Sequence, residues 1–160
     1  MNLPGDDPLD LDAQACFVLS AAARGLVSLY RPFLEPLGIT HPQFLVLVAL
    51  WQGAGAGGRA TVTGLADRLL IDPGTLSPAL KRLEAVGYVT RVRSPTDARV
   101  VEVGLTLRGQ ELRAEAAGVP GAIAAAAGLS PDDVAQVVAV AGKVVAAVRA
   151  AGATGAVSGV

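Results

Sequence analysis

Cysteine, histidine and tryptophan each occur once in this 160-residue chain, as Cys16, His41 and Trp51. A single thiol excludes an intrachain disulfide and a cysteine-rich zinc site. One imidazole with scattered carboxylates offers too few ligands for a metal centre, so neither a metal nor another cofactor is expected. No run approaches the ~18 uninterrupted strong hydrophobes of a membrane helix. The Ala/Val-rich segment after Pro131 is broken by Gln136, Lys143 and Arg149. The first residues are acidic and proline-containing, unlike the basic start and apolar run of a signal peptide, which predicts a cytoplasmic protein without a membrane partner. An excess of positive charge is also missing. The formal net charge is −1, so any contact with nucleic acid must come from a local patch. The glycine-rich stretch Gly53-Ala54-Gly55-Ala56-Gly57-Gly58 lacks the Gly-Lys-Ser/Thr ending of a phosphate loop and is a linker.

What is present is concentrated between Thr61 and Leu105. Asp72-Pro73 opens a helix: a side-chain acceptor for orphan N–H groups, then a residue whose φ is already set. Leu76, Leu80 and Leu83 recur at helical spacing and define a buried face. Gly87 ends the helix at the position that favours a left-handed backbone. Tyr88-Val89-Thr90-Arg91-Val92-Arg93 then changes to period two, a strand. Ser94-Pro95-Thr96-Asp97 is a turn, and Arg99 to Leu105 is the returning strand. Upstream, Thr61 to Leu70 is a short capped helix. Residues 81–99 carry Lys81, Arg82, Arg91, Arg93 and Arg99 against Glu84 and Asp97, a local charge of +3. Helix, turn, helix and a hairpin with a basic tip make a winged helix-turn-helix, a DNA reader, and not an enzyme.

The flanks are helical. Residues 1–9 are expected to be a loose arm, and a helix runs from Asp10 or Asp12 to about Leu34, with Pro32 late in it. His41-Pro42 opens a helix from Gln43 to Trp51 that is apolar nearly all round and therefore buried, with Phe44 and Trp51 as core. Thr106 caps a helix toward Ala117, Gly118-Val119-Pro120-Gly121 interrupts it, and a second piece reaches about Ala127. Ser130-Pro131-Asp132-Asp133 starts the last helix, with acid in a first turn that favours it; it ends near Ala150, and 151–160 is a frayed tail. The 52% hydrophobic content supplies a core, but much of it is alanine. An Ala/Val surface this wide must be covered, and a second copy of the chain is the simplest cover. The expected fold is mainly α with a small β-hairpin: one domain over 10–150, a winged helix at about 61–105, and dimerisation helices at about 10–35 and 106–150.

Several segments together resemble the multiple-antibiotic-resistance regulator (MarR) family: Leu65-Ala66-Asp67-Arg68-Leu69, Leu80-Lys81-Arg82-Leu83-Glu84-Ala85-Val86-Gly87-Tyr88-Val89, Asp97-Ala98-Arg99 and Leu105-Thr106. The resemblance covers about Ala13 to Arg149. Ala15-Cys16-Phe17, Tyr30-Arg31-Pro32, Gly38 to Leu47 and Gly74-Thr75-Leu76-Ser77-Pro78 look like its organic hydroperoxide resistance regulator branch. That resemblance implies a dimeric repressor whose N-terminal cysteine is oxidised by organic peroxides. In that branch tyrosines hydrogen-bond the sulfur; Tyr30 is in place, but Ser20 and His41 stand where the other two are expected.

Two sets of residues follow. For DNA, Thr75 and Ser77 lie in the first turns of the recognition helix, where hydroxyls meet base edges, and Lys81 and Arg82 reach phosphate. Arg93 and Arg99 belong to the wing; Arg99 suits the minor groove, and Asp97 holds it in a set orientation. Two copies imply an inverted-repeat operator with half-sites about one helical turn apart. The redox set is Cys16, Tyr30 and His41. Cys16 near a helix start gains from the positive dipole end, while Asp12 opposes it. Tyr30 is fourteen residues on, about 21 Å along one helix at 1.5 Å per residue, so the pair forms only across two subunits. Without a second cysteine the oxidised thiol is capped by a small thiol or over-oxidised. His41 either caps the following helix or replaces a tyrosine hydroxyl near Cys16. Two alternatives stand beside this reading: a regulator released by an aromatic or phenolic ligand, and a one-cysteine thiol peroxidase, against which no Arg, Thr or Glu lies close in sequence to Cys16.

Overall fold

The computed structural model describes residues 9–53 and 59–152. The expected arm up to residue 8, the linker residues 54–58 and the tail from 153 lie outside the described residues. A short 3-10 turn, Leu11–Ala13, precedes helix α1, Ala15–Leu34. Pro32 neither ends nor shortens it: two more residues follow before a second 3-10 turn, Glu35–Leu37, which Gly38 closes at φ 71°. Helix α2, His41–Gly53, begins two residues before the expected Gln43. The cause is local. The Thr40 N–H donates to Gln43 Oε1 at 2.8 Å, and the Thr40 carbonyl accepts from Phe44 N–H at 2.9 Å, so the first turn forms before the apolar run begins.

Strand β1, Arg59–Thr61, follows, then helices α3, Val62–Leu69, and α4, Pro73–Ala85. Strands β2, Val89–Arg93, and β3, Val101–Leu105, form the wing. The expected hairpin is thus an antiparallel three-stranded sheet in the order β1-β3-β2, with Thr61 opposite Glu102 and Val89 opposite Leu105. Helices α5, Leu107–Ala116, α6, Val119–Ala126, and α7, Pro131–Ala150, complete the chain.

Capping chemistry sets these boundaries. Thr61 Oγ1 accepts from Gly64 N–H at 3.0 Å, and Thr106 Oγ1 accepts from Gly109 N–H at 3.0 Å. Ser130 and Asp133 form a reciprocal capping box, and the hydrogen bond from the Ser130 hydroxyl, followed by that from its N–H, holds the Asp133 carboxyl below the usual carboxylate range. Helix α4 ends as its sequence predicts. Gly87 takes φ 84°, and the Tyr88 N–H closes back onto the Leu83 carbonyl at 3.0 Å. Helix α3 stops differently, with Leu70 rather than glycine in the left-handed region at φ 57°. That conformation is strained for a branched side chain, and the Ile71 N–H to Ala66 carbonyl bond at 3.1 Å helps hold it.

The core lies between α2, the two reading-head helices and the wing. Leu34, Val46, Leu47, Leu65, Leu76, Leu80, Leu83, Val89 and Val103 are all below 2% exposed. Each leucine so buried contributes roughly 1.5–3 kcal/mol against the cost of ordering it. Phe44 is in the core as expected, but Trp51 is only half-buried: its indole Nε1 donates to the Gly109 carbonyl at 2.9 Å and joins α2 to α5. Helix α7 contributes no buried residue, and Val137, Val138, Val140, Val144 and Val145 are exposed along it. Near its end the Arg149 guanidinium donates to the Arg68 carbonyl at 2.9 Å.

Candidate nucleic-acid interface and thiol site

Helix α4 is held at both ends. At its start the Asp72 carboxylate accepts from the N–H groups of Gly74, at 2.8 Å, and Thr75, at 3.1 Å, and from the Thr75 hydroxyl. These bonds, the Thr75 hydroxyl's first, pull the Asp72 carboxyl below its ordinary range. A Cβ at Gly74 would lie 2.8 Å from Asp72 Oδ1, the end of a side chain that would have to shift. At the far end the Tyr88 hydroxyl donates to the Leu37 carbonyl at 2.9 Å, fixing the helix exit against the corner between α1 and α2. The Arg108 guanidinium covers the Tyr88 ring at 4.9 Å and donates to the Val86 carbonyl at 2.9 Å.

Five cations cluster here, but they do different things. Arg91 is committed to Glu84, with Nε and Nη2 both donating to Oε2 at 2.8 and 2.5 Å, which pins β2 to α4. Arg93 reaches across the wing to the Ala98 carbonyl at 2.9 Å. Arg99 stands out from the tip with its side chain 92% exposed, and its Nε and backbone N–H both donate to Asp97 Oδ1, at 3.3 and 3.0 Å. Lys81 and Arg82 are exposed on α4. A cleft of about 310 Å³ separates helix and wing, lined by Thr63, Pro73, Ser77, Arg91 and Arg99 among others.

The residues expected to meet bases divide. Thr75 and Ser77 are about 200° apart around a helix of 3.6 residues per turn, so they cannot share a face. Thr75 is exposed, whereas Ser77 is half-buried and lines the cleft toward the wing. Opposite the buried Leu76, Leu80 and Leu83 lie Gly74, Pro78, Lys81 and Ala85, all exposed. Pro78 thus lies on the outermost line of the helix. The buried leucine spacing carried that signal.

The redox set is split as well. Cys16 is exposed, the second residue of α1. Tyr30, near the other end of α1, packs against His41 with ring centroids 4.7 Å apart and against Phe44 at 5.7 Å. Burial raises the Tyr30 phenol above its ordinary range and lowers the His41 imidazole below its own, which favours the neutral ring. His41 and Thr40, with Val27, Arg31 and Ile39, line an open groove of about 1020 Å³. Among the described residues no group of three His, Cys, Asp or Glu side chains could hold a metal ion, and no single helix is long and apolar enough to cross a membrane.

An exposed, doubly anchored helix following a short turn, beside a wing with a projecting arginine, defines a winged-helix DNA-binding protein. A family model described as MarR family matches residues 37–100. The organic hydroperoxide resistance transcriptional regulator of Bacillus subtilis is 39% identical over 130 residues, 81% of this chain and 86% of that protein. Overoxidized AbfR bound to DNA is similar with TM-score 0.67 and 32% identity, covering 86% of this chain and 94% of that one. A mutant MarR from E. coli complexed with operator DNA is similar with TM-score 0.64 and 29% identity, covering 79% and 90%. The chain belongs to the MarR family of DNA-binding transcriptional regulators, a non-enzymatic role.

Proposed function

We propose that this regulator is a homodimeric repressor released from an inverted-repeat operator when an organic hydroperoxide oxidises Cys16. The observation that carries the reading is the position of that thiol: exposed, in the first turn of α1. The valine face of α7 adjoins α1, since Leu19 shares a cleft with Val137 and Val140. Val18 and Val27 of α1 are exposed too, so one apolar surface joins both terminal helices and suits a second copy. The B. subtilis relative is named for organic hydroperoxide resistance, and AbfR is known in reduced, overoxidized and disulfide forms. Chemically, the thiolate attacks the peroxide O–O bond. An S–O bond forms, the alcohol leaves, and sulfur is oxidised by two electrons to sulfenic acid. A small thiol then condenses with it, expelling water and leaving a mixed disulfide; a second peroxide instead gives sulfinic acid. Either product places polar bulk against the apolar surface and alters the spacing of the two reading heads.

A second reading rests on the groove beside Tyr30 and His41, which is large enough for an aromatic acid or phenol and carries Arg31 at its edge. One experiment separates the two. Anisotropy of an inverted-repeat operator from upstream of the protein's own gene is titrated with wild type and Cys16→Ser, with and without cumene hydroperoxide plus a small thiol, at fixed salt. The redox reading requires release of wild type and retention of Cys16→Ser. If both stay bound, Cys16 is a packing residue and the ligand reading takes its place.

A further inference from the structure

We propose that Pro78 reads thymine, its ring seated against the 5-methyl group of a thymine in the major groove, with the Thr75 methyl group completing the contact. The inference rests on α4 entering that groove. On the outermost line of α4, Gly74 has no side chain, Pro78 presents only methylenes and Ala85 a methyl, and the charged groups of this face, Lys81 and Arg82, come only after the first two turns. The nearest hydroxyl, Thr75, donates its proton to the Asp72 carboxylate. It therefore has no proton to offer a base acceptor, which leaves its methyl group as the contact it can add beside Pro78. Ser77, the other hydroxyl of these turns, is drawn into the cleft beside the wing. The first two turns of the recognition helix are thus poor in free donors and rich in carbon. Among base edges in the major groove, only thymine offers an apolar group of its own. The missing side chain at Gly74 allows the backbone to come close enough for so short a side chain to make contact.

The test replaces each thymine of one operator half-site by deoxyuracil, one at a time, and reads Kd by anisotropy at a single salt concentration. Uracil differs only by the missing methyl, and every polar contact survives. At one thymine, or two adjacent ones, binding of wild type is expected to weaken about fourfold, the ratio to which ~0.8 kcal/mol for one buried carbon group converts. At that position Pro78→Ala should bring the thymine-to-uracil ratio close to one whatever it does to overall affinity, because a merely structural proline would change both duplexes alike. Thr75→Val should keep the preference for thymine and Thr75→Ser should reduce it. The proposal is overturned if uracil is tolerated at every position, or if the ratio persists in Pro78→Ala. Lys81→Ala distinguishes the reasons: weakened binding with uracil tolerated throughout means α4 is in the groove but reads no methyl, whereas unchanged binding means α4 does not enter the groove at all.

Discussion

Gly109→Ala inserts one methyl group where, among the described glycines, a Cβ would come closest to a neighbouring atom. A Cβ at that position would meet the Tyr88 carbonyl oxygen at 2.0 Å, the Tyr88 carbonyl carbon at 3.0 Å and Leu105 Cδ2 at 3.3 Å. The first distance falls more than 1 Å short of van der Waals contact, and the obstacle is backbone on the second residue past the C-cap of α4. It cannot turn aside as a side chain would. Neighbouring bonds resist a compensating slide of α5: the Gly109 N–H donates to Thr106 and its carbonyl accepts from Trp51. Overpacking of this kind costs about 3 kcal/mol or more, while alanine in place of helical glycine returns up to about 1. A net loss of about 2 kcal/mol lowers Tm by about 4–8 °C in a chain of this length. The measurement is a thermal melt followed by far-ultraviolet circular dichroism at one protein concentration, with Gly121→Ala as the matched control. A Cβ at that site meets no neighbouring element within 4 Å, so its Tm should hold or rise by a degree or two. A Gly109→Ala protein melting with wild type would refute the reasoning.

Tyr88→Phe should cost about 1 kcal/mol by removing the hydrogen bond to Leu37 while keeping the ring under Arg108; urea denaturation reads it, and an unchanged midpoint would show that water replaces the bond without loss. His41 gives a pH dependence. Its folded-state pKa lies below the ~6.5 of an unfolded chain, so between those values the unfolded state binds more protons. Its contribution is therefore fully present above about pH 6.5, falls as the pH drops from there to the folded pKa, and is constant below it. His41→Phe should flatten that portion of a urea-midpoint profile from pH 5 to 8, and parallel curves for the two proteins would remove His41 as the cause.

Much of the fold was legible because capping is local chemistry. Asp72, Gly87, Thr106 and Ser130 announce helix ends through groups only a few residues apart, and each does so in the structure. Strand β1 was not legible. Three residues carry no period, and its pairing with Val101–Leu105 depends on a partner some forty positions away. The half-buried state of Trp51 and the packing of His41 on Tyr30 likewise come from chain reversals that no spacing rule encodes. The recognition helix shows the opposite case. Its buried leucines were identified, and the line opposite them follows by geometry. Residue type alone puts Ser77 with Thr75, since both carry hydroxyls, but roughly 200° of helix separates them.

The Glu84–Arg91 pair has a consequence for the DNA. It joins the strand leading out to the wing tip to the last turn of the recognition helix, and β3, paired along the whole length of β2, shares the constraint. Helix and wing therefore behave as the two jaws of a fixed caliper, not as fingers that adjust separately. With α4 in the major groove, as proposed above, and Arg99 in the neighbouring minor groove, as expected from the sequence, an operator half-site lengthened by one base pair between the two would slip out of register with one jaw or the other. The protein should tolerate many base changes in that interval but no change in its length.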